Sequence, residues 1–311
     1  SPIISRRIIK MSTFLVTLAT GQQGKATIAA LLERGAKVHA VVRDPTKPAA
    51  RELESQGVVL FKGDNDDIDT FRNAAKGCKG VYLNLVSFPD NEDPGRQAAR
   101  ILEACKEAGV EHVVASTSGW VGSKEKWDHP LNKSEWLKGF CKHDADVEDA
   151  VRGSGIKYFT IIRPFWFHSN YLPPVVDEFY PELWTKGELV HLFKPGVIFP
   201  HVNVGDIGRF AAMVLFNPVK FHGEEIELAS QNLTIDDVAD LIRKVTGKPI
   251  TVRSRTAEEE DDSIPTIAWQ RWANVVDLSV DTKALEQKYD FHFTTLEEFL
   301  KQEAARSNIP A

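Results

Sequence analysis

Two glycines, Gly21 and Gly24, follow an apolar run that starts at Phe14, and their spacing gives the clearest chemical signal in the chain. Apolar residues recur at helical spacing from Ile28 onward, so the stretch predicts a buried strand, a tight turn and a helix. A helix start offers unpaired backbone N–H groups and a positive dipole end, which suit a pyrophosphate. Such a turn could also simply connect a strand to a helix without binding a ligand. The predicted nucleotide-binding residues of this turn are Thr20, Gly21, Gln22, Gln23 and Gly24.

One position departs from the usual glycine pattern of dinucleotide-binding turns. Leu18 stands where the first glycine of that pattern would fall. Close approach of a ligand to the backbone stays feasible at Gly21 and Gly24, but the turn has to accommodate the side chain of Leu18. The sequence therefore predicts binding and leaves the affinity open.

The end of the second predicted strand, at residues 37–43, indicates which nucleotide binds. About 20 residues past the glycine turn, NAD enzymes usually carry an acid for the ribose 2′-hydroxyl. This chain carries Arg43 instead, and a guanidinium offers paired donors to a phosphate. Lys47 could add a second positive charge. The pattern favours NADP(H), although Arg43 could also be a solvated residue whose field Asp44 partly offsets.

Strands and helices alternate along the first half of the chain, which is typical of a doubly wound parallel sheet. Further strands are predicted at 58–61, 81–85, 112–116 and 157–162, with helices at 68–76, 95–108 and 142–151. Ligands of such sheets lie beyond the carboxyl ends of the strands. Asp64, Asn84 and Ser118 are therefore expected at a cofactor crevice, Asp64 on the adenine side, unless it is only a helix N-terminal acid.

The predicted fold class is α/β: a Rossmann-type doubly wound parallel sheet with a smaller C-terminal α/β substrate domain. Residues 11–164 and about 201–222 are assigned to the nucleotide-binding domain, and about 165–200 and 223–311 to the substrate-binding domain. Residues 1–10 are interpreted as a flexible leader.

Aromatic residues concentrate where a substrate wall would be expected. Three tryptophans lie in a polar stretch after the fifth strand, and an aromatic, proline-rich segment follows Pro164. Loops held by a rigid sheet often bind substrate, although the same residues could form the core of a second domain. The candidate substrate residues are Trp120, Phe165, His168 and Tyr171.

Composition excludes several classes of function. The net charge is -6 and the pI is about 5.9, whereas proteins that bind nucleic acid directly usually carry an excess of positive charge. The three cysteines are scattered, so neither a disulfide framework nor a metal site is predicted, despite the neighbouring Cys141 and His143. No stretch is long and apolar enough for a transmembrane helix. These features predict a cytoplasmic protein with no membrane contact and no metal.

Several short motifs, taken in their order, resemble the NmrA-like family of atypical short-chain dehydrogenases, which is related to the isoflavone reductase-like enzymes. Each motif alone is moderately specific, but their order over residues 13–250 is strongly so. The motifs lie at residues 16–24, 42–45, 62–64, 109–114, 142–148, 162–164, 202–208, 217–218 and 223–226.

The resemblance implies an NADP-binding domain and a catalytic lysine. Ordinary short-chain dehydrogenases use Tyr-x-x-x-Lys; here Lys142 keeps the lysine place, but Lys138 replaces the tyrosine. Lys142 would then donate a proton or support a developing oxyanion, as the lysine of isoflavone reductase-like enzymes is thought to do, or only hold the ribose. Ser118 matches a serine that could bind a substrate oxygen.

Two functions follow from the resemblance. The first is an NADPH-dependent oxidoreductase of secondary metabolism, acting on an aromatic or polyketide-like small molecule. The second is a non-catalytic NADP(H)-binding redox sensor that signals through a transcriptional regulator. A homodimer and a regulatory protein partner are both compatible with the sequence.

Overall fold

The computed structural model describes residues 11–86, 90–91, 93–261 and 264–310. The strands are β1 Thr13–Val16, β2 Lys37–Val42, β3 Val59–Lys62, β4 Gly80–Leu83, β5 His112–Ser116, β6 Tyr158–Pro164, β7 Trp166–Phe167, β8 Glu188–His191, β9 Phe199–Val202, β10 Glu225–Leu228, β11 Gln231–Leu233 and β12 Thr251–Ser254. The helices are α1 Gln22–Glu33, α2 Pro48–Ser55, α3 Ile68–Ala74, α4 Pro94–Glu107, α5 Lys124–Trp127, α6 Glu135–Gly153, α7 Val176–Phe179, α8 Glu182–Thr185, α9 Val204–Phe216, α10 Pro218–Phe221, α11 Ile235–Thr246, α12 Pro265–Ala273, α13 Thr282–Tyr289 and α14 Leu296–Ala305. Short 3₁₀ helices span His168–Tyr171 and Ala257–Glu259.

The main sheet of the described residues has seven strands in the order β10-β6-β5-β4-β1-β2-β3. Every neighbouring pair in it is parallel. The chain leaves β1 towards β2 on one side and later returns to β4 on the other, so the topological switch point lies at the carboxyl ends of β1 and β4. Ligands of doubly wound sheets bind at that place. The predicted α/β fold class is confirmed.

Helix α1 is held against the sheet by α9, and the two helices touch backbone to backbone. A β-carbon added at Gly208 of α9 would lie 2.3 Å from the carbonyl carbon of Ala26 in α1. Only a glycine permits this approach, since real β-carbons essentially never come so close to other heavy atoms. The contact fixes the position of the helix whose first turn was predicted to bind nucleotide.

A second, aromatic-rich core lies beside the main sheet. It includes buried Trp166, Tyr171, Phe199 and Trp272. Two small sheets, β11-β9-β7 and β12-β8, carry part of it together with α11 and α14. The core also includes Val121, Trp127, Leu137 and Cys141 from the part assigned to the nucleotide-binding domain, so the division into two domains stays a prediction.

Two features differ from the sequence-based expectations. Helix α6 starts at Glu135, seven residues before the predicted start, because the Ser134 hydroxyl caps it by accepting from the N–H of Leu137 at 3.1 Å. Trp136, one of the three tryptophans in the polar stretch after the fifth strand, is therefore helical. Strand β10 belongs to the main sheet, paired with β6, whereas residues from 223 onward had been assigned to the second domain.

Other expectations concern the ends of the chain and the membrane. Residues 1–10, interpreted as a leader, lie outside the described residues. Among the described helices, none combines the length and the apolar character needed to cross a bilayer.

Candidate functional site

The glycine turn between β1 and α1 adopts a conformation that needs Gly24. The N–H of Gly21 donates to the carbonyl of Leu18 at 2.9 Å, which closes the turn. A β-carbon at residue 24 would lie 2.3 Å from that same carbonyl oxygen. Leu18 itself has a φ of 47°, in the left-handed region that favours glycine. The residue that departs from the usual glycine pattern therefore occupies a backbone conformation suited to glycine.

The N-terminus of α1 fits an anionic ligand. Gly21 is its N-cap residue and provides no side-chain cap, and the first turn contains no acidic residue. Within the described chain, the N–H groups of Gln22, Gln23 and Gly24 donate to no protein acceptor. Free N–H groups at a helix start suit a phosphate, so this turn fits the pyrophosphate of a dinucleotide. Thr20, next to the turn, is exposed.

Polar groups join the ends of the central strands at the switch point. The Thr17 hydroxyl donates to the carbonyl of Asn84 at 2.7 Å and accepts from the N–H of Asn84 at 2.8 Å. The Asn84 side chain donates from Nδ2 to the carbonyl of Ser116 at 3.1 Å. Asn84 is thus buried at the predicted crevice and links three strands, while its cofactor contact stays a prediction.

The charged residues predicted to bind the adenosine end are exposed. Arg43 forms no ion pair within the described chain, and Lys47 is the N-cap residue of α2. Asp44 accepts from the N–H and the hydroxyl of Thr46, which lowers the pKa of its carboxyl. Asp64 accepts from the N–H groups of residues 66 and 67, at 2.8 and 3.1 Å, and so stabilises the turn that precedes α3.

An aromatic cavity of about 280 Å³ lies next to the glycine turn between β1 and α1, which we call the nucleotide turn. It begins at Gln23 and extends over the loops that follow β5 and β6, towards α6 and α12. Its aromatic walls are Trp136, Phe140, Phe165, Trp166, Phe167, Phe179, Phe199 and Trp269. Its other lining residues are Gln23, Thr117, Ser118, Gly119, Pro164, Asn170 and Pro265. None of these lining residues carries an acidic or basic side chain.

Two of the candidate residues, Ser118 and Phe165, line this cavity, and a third, Trp120, does not. Trp120 has a φ of 58° and donates from its indole N–H to the carbonyl of Leu278 at 2.7 Å. Its backbone N–H donates to Glu227 at 2.9 Å. These bonds make Trp120 a structural link between the loop after β5 and the C-terminal part of the chain.

His168 and Tyr171 lie in the core behind the cavity rather than in its lining. The hydroxyl of Tyr171 is 2.8 Å from Nε2 of His201, and Nε2 of His168 is 3.3 Å from the hydroxyl of Ser230. Burial raises the pKa of Tyr171 well above its usual range, lowers that of His168 well below it, and lowers that of His201 to about 4. All three are uncharged core residues at neutral pH, which matches the alternative that the aromatic segment is core.

Lys142 does not reach the cavity. Its ammonium is paired with Asp146 at 2.8 Å, and 63% of its side chain is exposed. Trp136 and Phe140 of the same helix line the cavity, and a residue two positions beyond Phe140 points about 200° away from it, since each helical residue advances by about 100°. The orientation of α6 therefore argues against the catalytic role predicted for Lys142.

A buried ion network that the sequence did not reveal lies behind the cavity. Arg163 donates to both carboxylate oxygens of Glu148 at 2.8 Å, and also to Glu225 and Glu227 at 2.5 and 3.2 Å. Arg152 donates to Glu225 and Glu148 at 2.8 to 2.9 Å. Three of the motifs that carried the family resemblance thus meet in one cluster.

The network supports the cavity wall. The hydroxyl of Thr117, a lining residue, donates to Glu148 at 2.8 Å. A β-carbon at Gly122 would lie 2.2 Å from the Arg163 guanidinium, so the loop after β5 packs directly on it. Burial raises the pKa of Glu227 to about 7, although Trp120 and Arg163 donate to its carboxylate. The charges of this region are turned away from the cavity.

A larger groove of about 600 Å³ lies on the other side of Trp136, near the start of α6 and away from the nucleotide turn. It is lined mainly by residues 131–136 and by α12. Within the described chain, no group of three or more His, Cys, Asp or Glu could hold a metal ion. Cys141 is buried, which raises the pKa of its thiol.

Comparisons with known proteins identify relatives in sequence and in fold. The chain is 27% identical over 245 residues to an NAD(P)H azoreductase of Xenophilus azovorans, across 79% of this chain and 78% of that protein. Its fold is similar to that of the Escherichia coli quinone oxidoreductase QOR2 in complex with NADPH, with a TM-score of 0.73, 22% identity and coverage of 93% and 99% of the two chains. It is also similar to NmrA, a negative transcriptional regulator, in complex with NAD, with a TM-score of 0.74, 17% identity and coverage of 96% and 97%. The model of the NmrA-like family matches residues 10–300, and the chain therefore belongs to this family.

Proposed function

We propose that this protein is an NADPH-dependent oxidoreductase that reduces uncharged aromatic acceptors of the quinone type. The observation that carries the proposal is the aromatic cavity, which adjoins the nucleotide turn at Gln23 and has no ionisable acid or base among its lining residues. The names of relatives point the same way, since they include an NAD(P)H azoreductase and a quinone oxidoreductase.

The cofactor would lie along the switch point of the sheet. The uncapped start of α1 would hold its pyrophosphate, and Gln23 would separate that end from the aromatic cavity. Arg43 favours the 2′-phosphate of NADPH, because it forms no ion pair in the described chain and Asp44 is engaged by Thr46. When bound, the reduced nicotinamide supplies the hydride.

The lining of the cavity favours quinones over simple ketones. Hydride addition to a ketone gives a strongly basic alkoxide, which requires a nearby acid. Hydride addition to a quinone gives a hydroquinone monoanion, a phenolate whose conjugate acid has a pKa near about 10, as tyrosine has. This anion can take its proton from water. A cavity without an ionisable acid can therefore complete quinone reduction, while Ser118 can donate a hydrogen bond to a substrate oxygen.

The experiment compares 1,4-naphthoquinone with 1-tetralone, a bicyclic aromatic ketone of similar size, as acceptors in an NADPH oxidation assay. We expect turnover with the quinone above the rate without protein, and none with the ketone. A Ser118→Leu variant, which places an aliphatic side chain in the cavity, should lose quinone turnover and keep its NADPH affinity within a few-fold. Equal turnover of both acceptors would contradict the quinone assignment.

A second function, non-catalytic sensing of NADP(H), is favoured by two observations. The left-handed Leu18 in the nucleotide turn and the fold similarity to the regulator NmrA fit a protein that binds nucleotide without turnover. The same assay separates the two functions. Tight NADPH binding without turnover of any quinone would support the sensor.

A further inference from the structure

Two primary amides, those of Gln23 and Asn170, interrupt the aromatic lining of the cavity. The Gln23 carbonyl oxygen accepts from the hydroxyl of Tyr82 at 3.0 Å and from the hydroxyl of Ser116 at 2.6 Å. These two bonds occupy both lone pairs of Oε1 and fix the orientation of the amide. Its Nε2 group is the remaining polar group and makes no hydrogen bond to any described residue.

Asn170 is the second amide, and it is buried without a protein partner. Its exposed fraction is 6%, and its side chain forms no hydrogen bond within the part of the chain that the structure describes. Its neighbours in the 3₁₀ helix His168–Tyr171 are committed elsewhere, His168 to Ser230 and Tyr171 to His201. Its amide atoms are not among the fully buried polar atoms that lack a partner, so they keep access to the cavity, where a ligand could complete their hydrogen bonds.

A hydrogen bond joins the two segments that carry these amides. The hydroxyl of Ser169 donates to Oε1 of Gln22 at 2.7 Å. Ser169 is the chain neighbour of Asn170, and Gln22 is the chain neighbour of Gln23. The contact therefore joins the 3₁₀ helix to the first turn of α1, beside the predicted position of the nucleotide.

We propose that Asn170 and Gln23 form a pair of donors that binds the carbonyl oxygen of the substrate on which negative charge develops. The inference rests on the proposed reduction of quinone-type acceptors and names the residues that select them. Neutral N–H donors stabilise a developing oxyanion without supplying a proton. The pair would favour flat, uncharged aromatic compounds that carry a carbonyl oxygen over aromatic hydrocarbons of the same size.

The test measures binding in the presence of NADP⁺, so that no turnover occurs, using the fluorescence of the tryptophans that line the cavity. The matched ligands are 1,4-naphthoquinone and naphthalene, which share a bicyclic carbon skeleton and differ in the two carbonyl oxygens. We expect the protein to prefer the quinone by about tenfold to a hundredfold, as one or two hydrogen bonds predict. Asn170→Leu should remove most of this preference, and Asn170→Asp, which replaces donors by a carboxylate, should remove it as well.

The control is Phe179→Leu, which changes the volume of the cavity without removing a polar group. This variant should weaken the binding of both ligands by a similar factor, so the ratio of their Kd values should stay the same, as it would for a purely structural defect. If Asn170→Leu also keeps the ratio and instead raises the Kd of NADPH, the amides bind the cofactor and the proposal is wrong. A protein that prefers the quinone but does not reduce it would retain the donor pair and disprove the proposed function.

Discussion

The nucleotide turn and the aromatic cavity meet at Gln23, and they offer opposite kinds of surface. The turn presents backbone N–H groups at the start of α1, with exposed Arg43 further along the sheet edge. The cavity presents aromatic faces and neutral polar groups, without an ionisable acid or base in its lining. One region is built to attract negative charge, and the other is built from uncharged groups.

The position of the charges explains the difference. On the nucleotide side, Arg43 and Lys47 are exposed, and Arg43 forms no ion pair within the described chain. On the cavity side, the charges of Arg163, Glu148 and Glu227 are buried behind the wall and satisfy one another. Charge substitutions should therefore change ligand affinity in the first region and the stability of the fold in the second.

The largest effect is expected from Arg163→Met. This change leaves Glu148, with 1% of its side chain exposed, without its main partner. Removing one partner of a buried ion pair typically lowers the free energy of unfolding by about 3–5 kcal/mol. Urea denaturation measures this change in the free energy of unfolding. Arg72→Met is the control, because Arg72 forms only surface ion pairs. A loss no larger than that of the control would contradict a structural role for the network.

Glu227→Gln should change how stability depends on pH. The pKa of Glu227 is raised from 4.5 to about 7 in the folded protein. The folded state therefore binds this proton more tightly than the unfolded state, so stability is fully present below pH 4.5 and falls as pH rises towards 7. The contribution of Glu227 to the free energy of unfolding decreases by at most on the order of 3 kcal/mol. In the variant, thermal unfolding should show a flatter pH dependence across this window; an unchanged dependence would exclude Glu227 as its source.

Arg43→Ala tests the nucleotide side. A charge-assisted contact to phosphate contributes about 1.5–3 kcal/mol, so we expect NADPH affinity to fall by about one to two decades. NADH affinity should change little, because NADH has no 2′-phosphate. Calorimetric titration with both nucleotides checks this, and equal losses for both would reject Arg43 as the discriminating residue.

Leu18→Gly should relieve backbone strain in the nucleotide turn. A left-handed conformation costs a non-glycine residue about 1–2 kcal/mol, which the turn now bears at Leu18. Because this strain is present without a ligand, we expect the free energy of unfolding, measured by urea denaturation, to be higher for Leu18→Gly than for Leu18→Ala. Leu18→Ala is the matched control, since it removes the same side chain but keeps the β-carbon. If both variants are equally stable, the left-handed conformation of Leu18 does not strain the turn.

Lys142→Met should have the smallest effect. Its exposed ion pair with Asp146 is worth less than about 1 kcal/mol, and the side chain lies outside the cavity lining. Quinone turnover at saturating NADPH should stay within about twofold of the unmodified protein, in this variant and in Lys142→Arg. If turnover is lost in Lys142→Met but kept in Lys142→Arg, Lys142 has an electrostatic role in the reaction.

The nucleotide turn was predictable from sequence because its determinants are contiguous. A strand, two glycines and an amphipathic helix follow one another, and the strand–helix alternation then predicts a doubly wound parallel sheet without giving its strand order. The ion network was not predictable, because Glu148, Arg163 and Glu227 are far apart in the chain. Only the adjacency of β6 and β10, which places Arg163 beside Glu227, brings them together.

The cavity residues show a second limit. Spacing within a family motif indicates Lys142, but the orientation of α6 decides which residues of that helix face the cavity. The side-chain chemistry of His168 and Tyr171 suggests substrate contacts, yet both residues have partners in the core that are distant in sequence. Asn170 lies between them, and its side chain makes no hydrogen bond to any described residue. Its importance appears only after the hydrogen bonds of its neighbours are known.

The contact of Gly208 with Ala26 bears on the thermodynamics of ligand binding. Because α9 touches the backbone of α1, the helix cannot shift along the sheet without separating two closely packed main chains. Its N–H groups are therefore preorganised, and a dinucleotide does not have to pay for their alignment in lost conformational entropy. A residue with a side chain at position 208 would loosen this alignment from a distance, weakening nucleotide binding without touching the nucleotide.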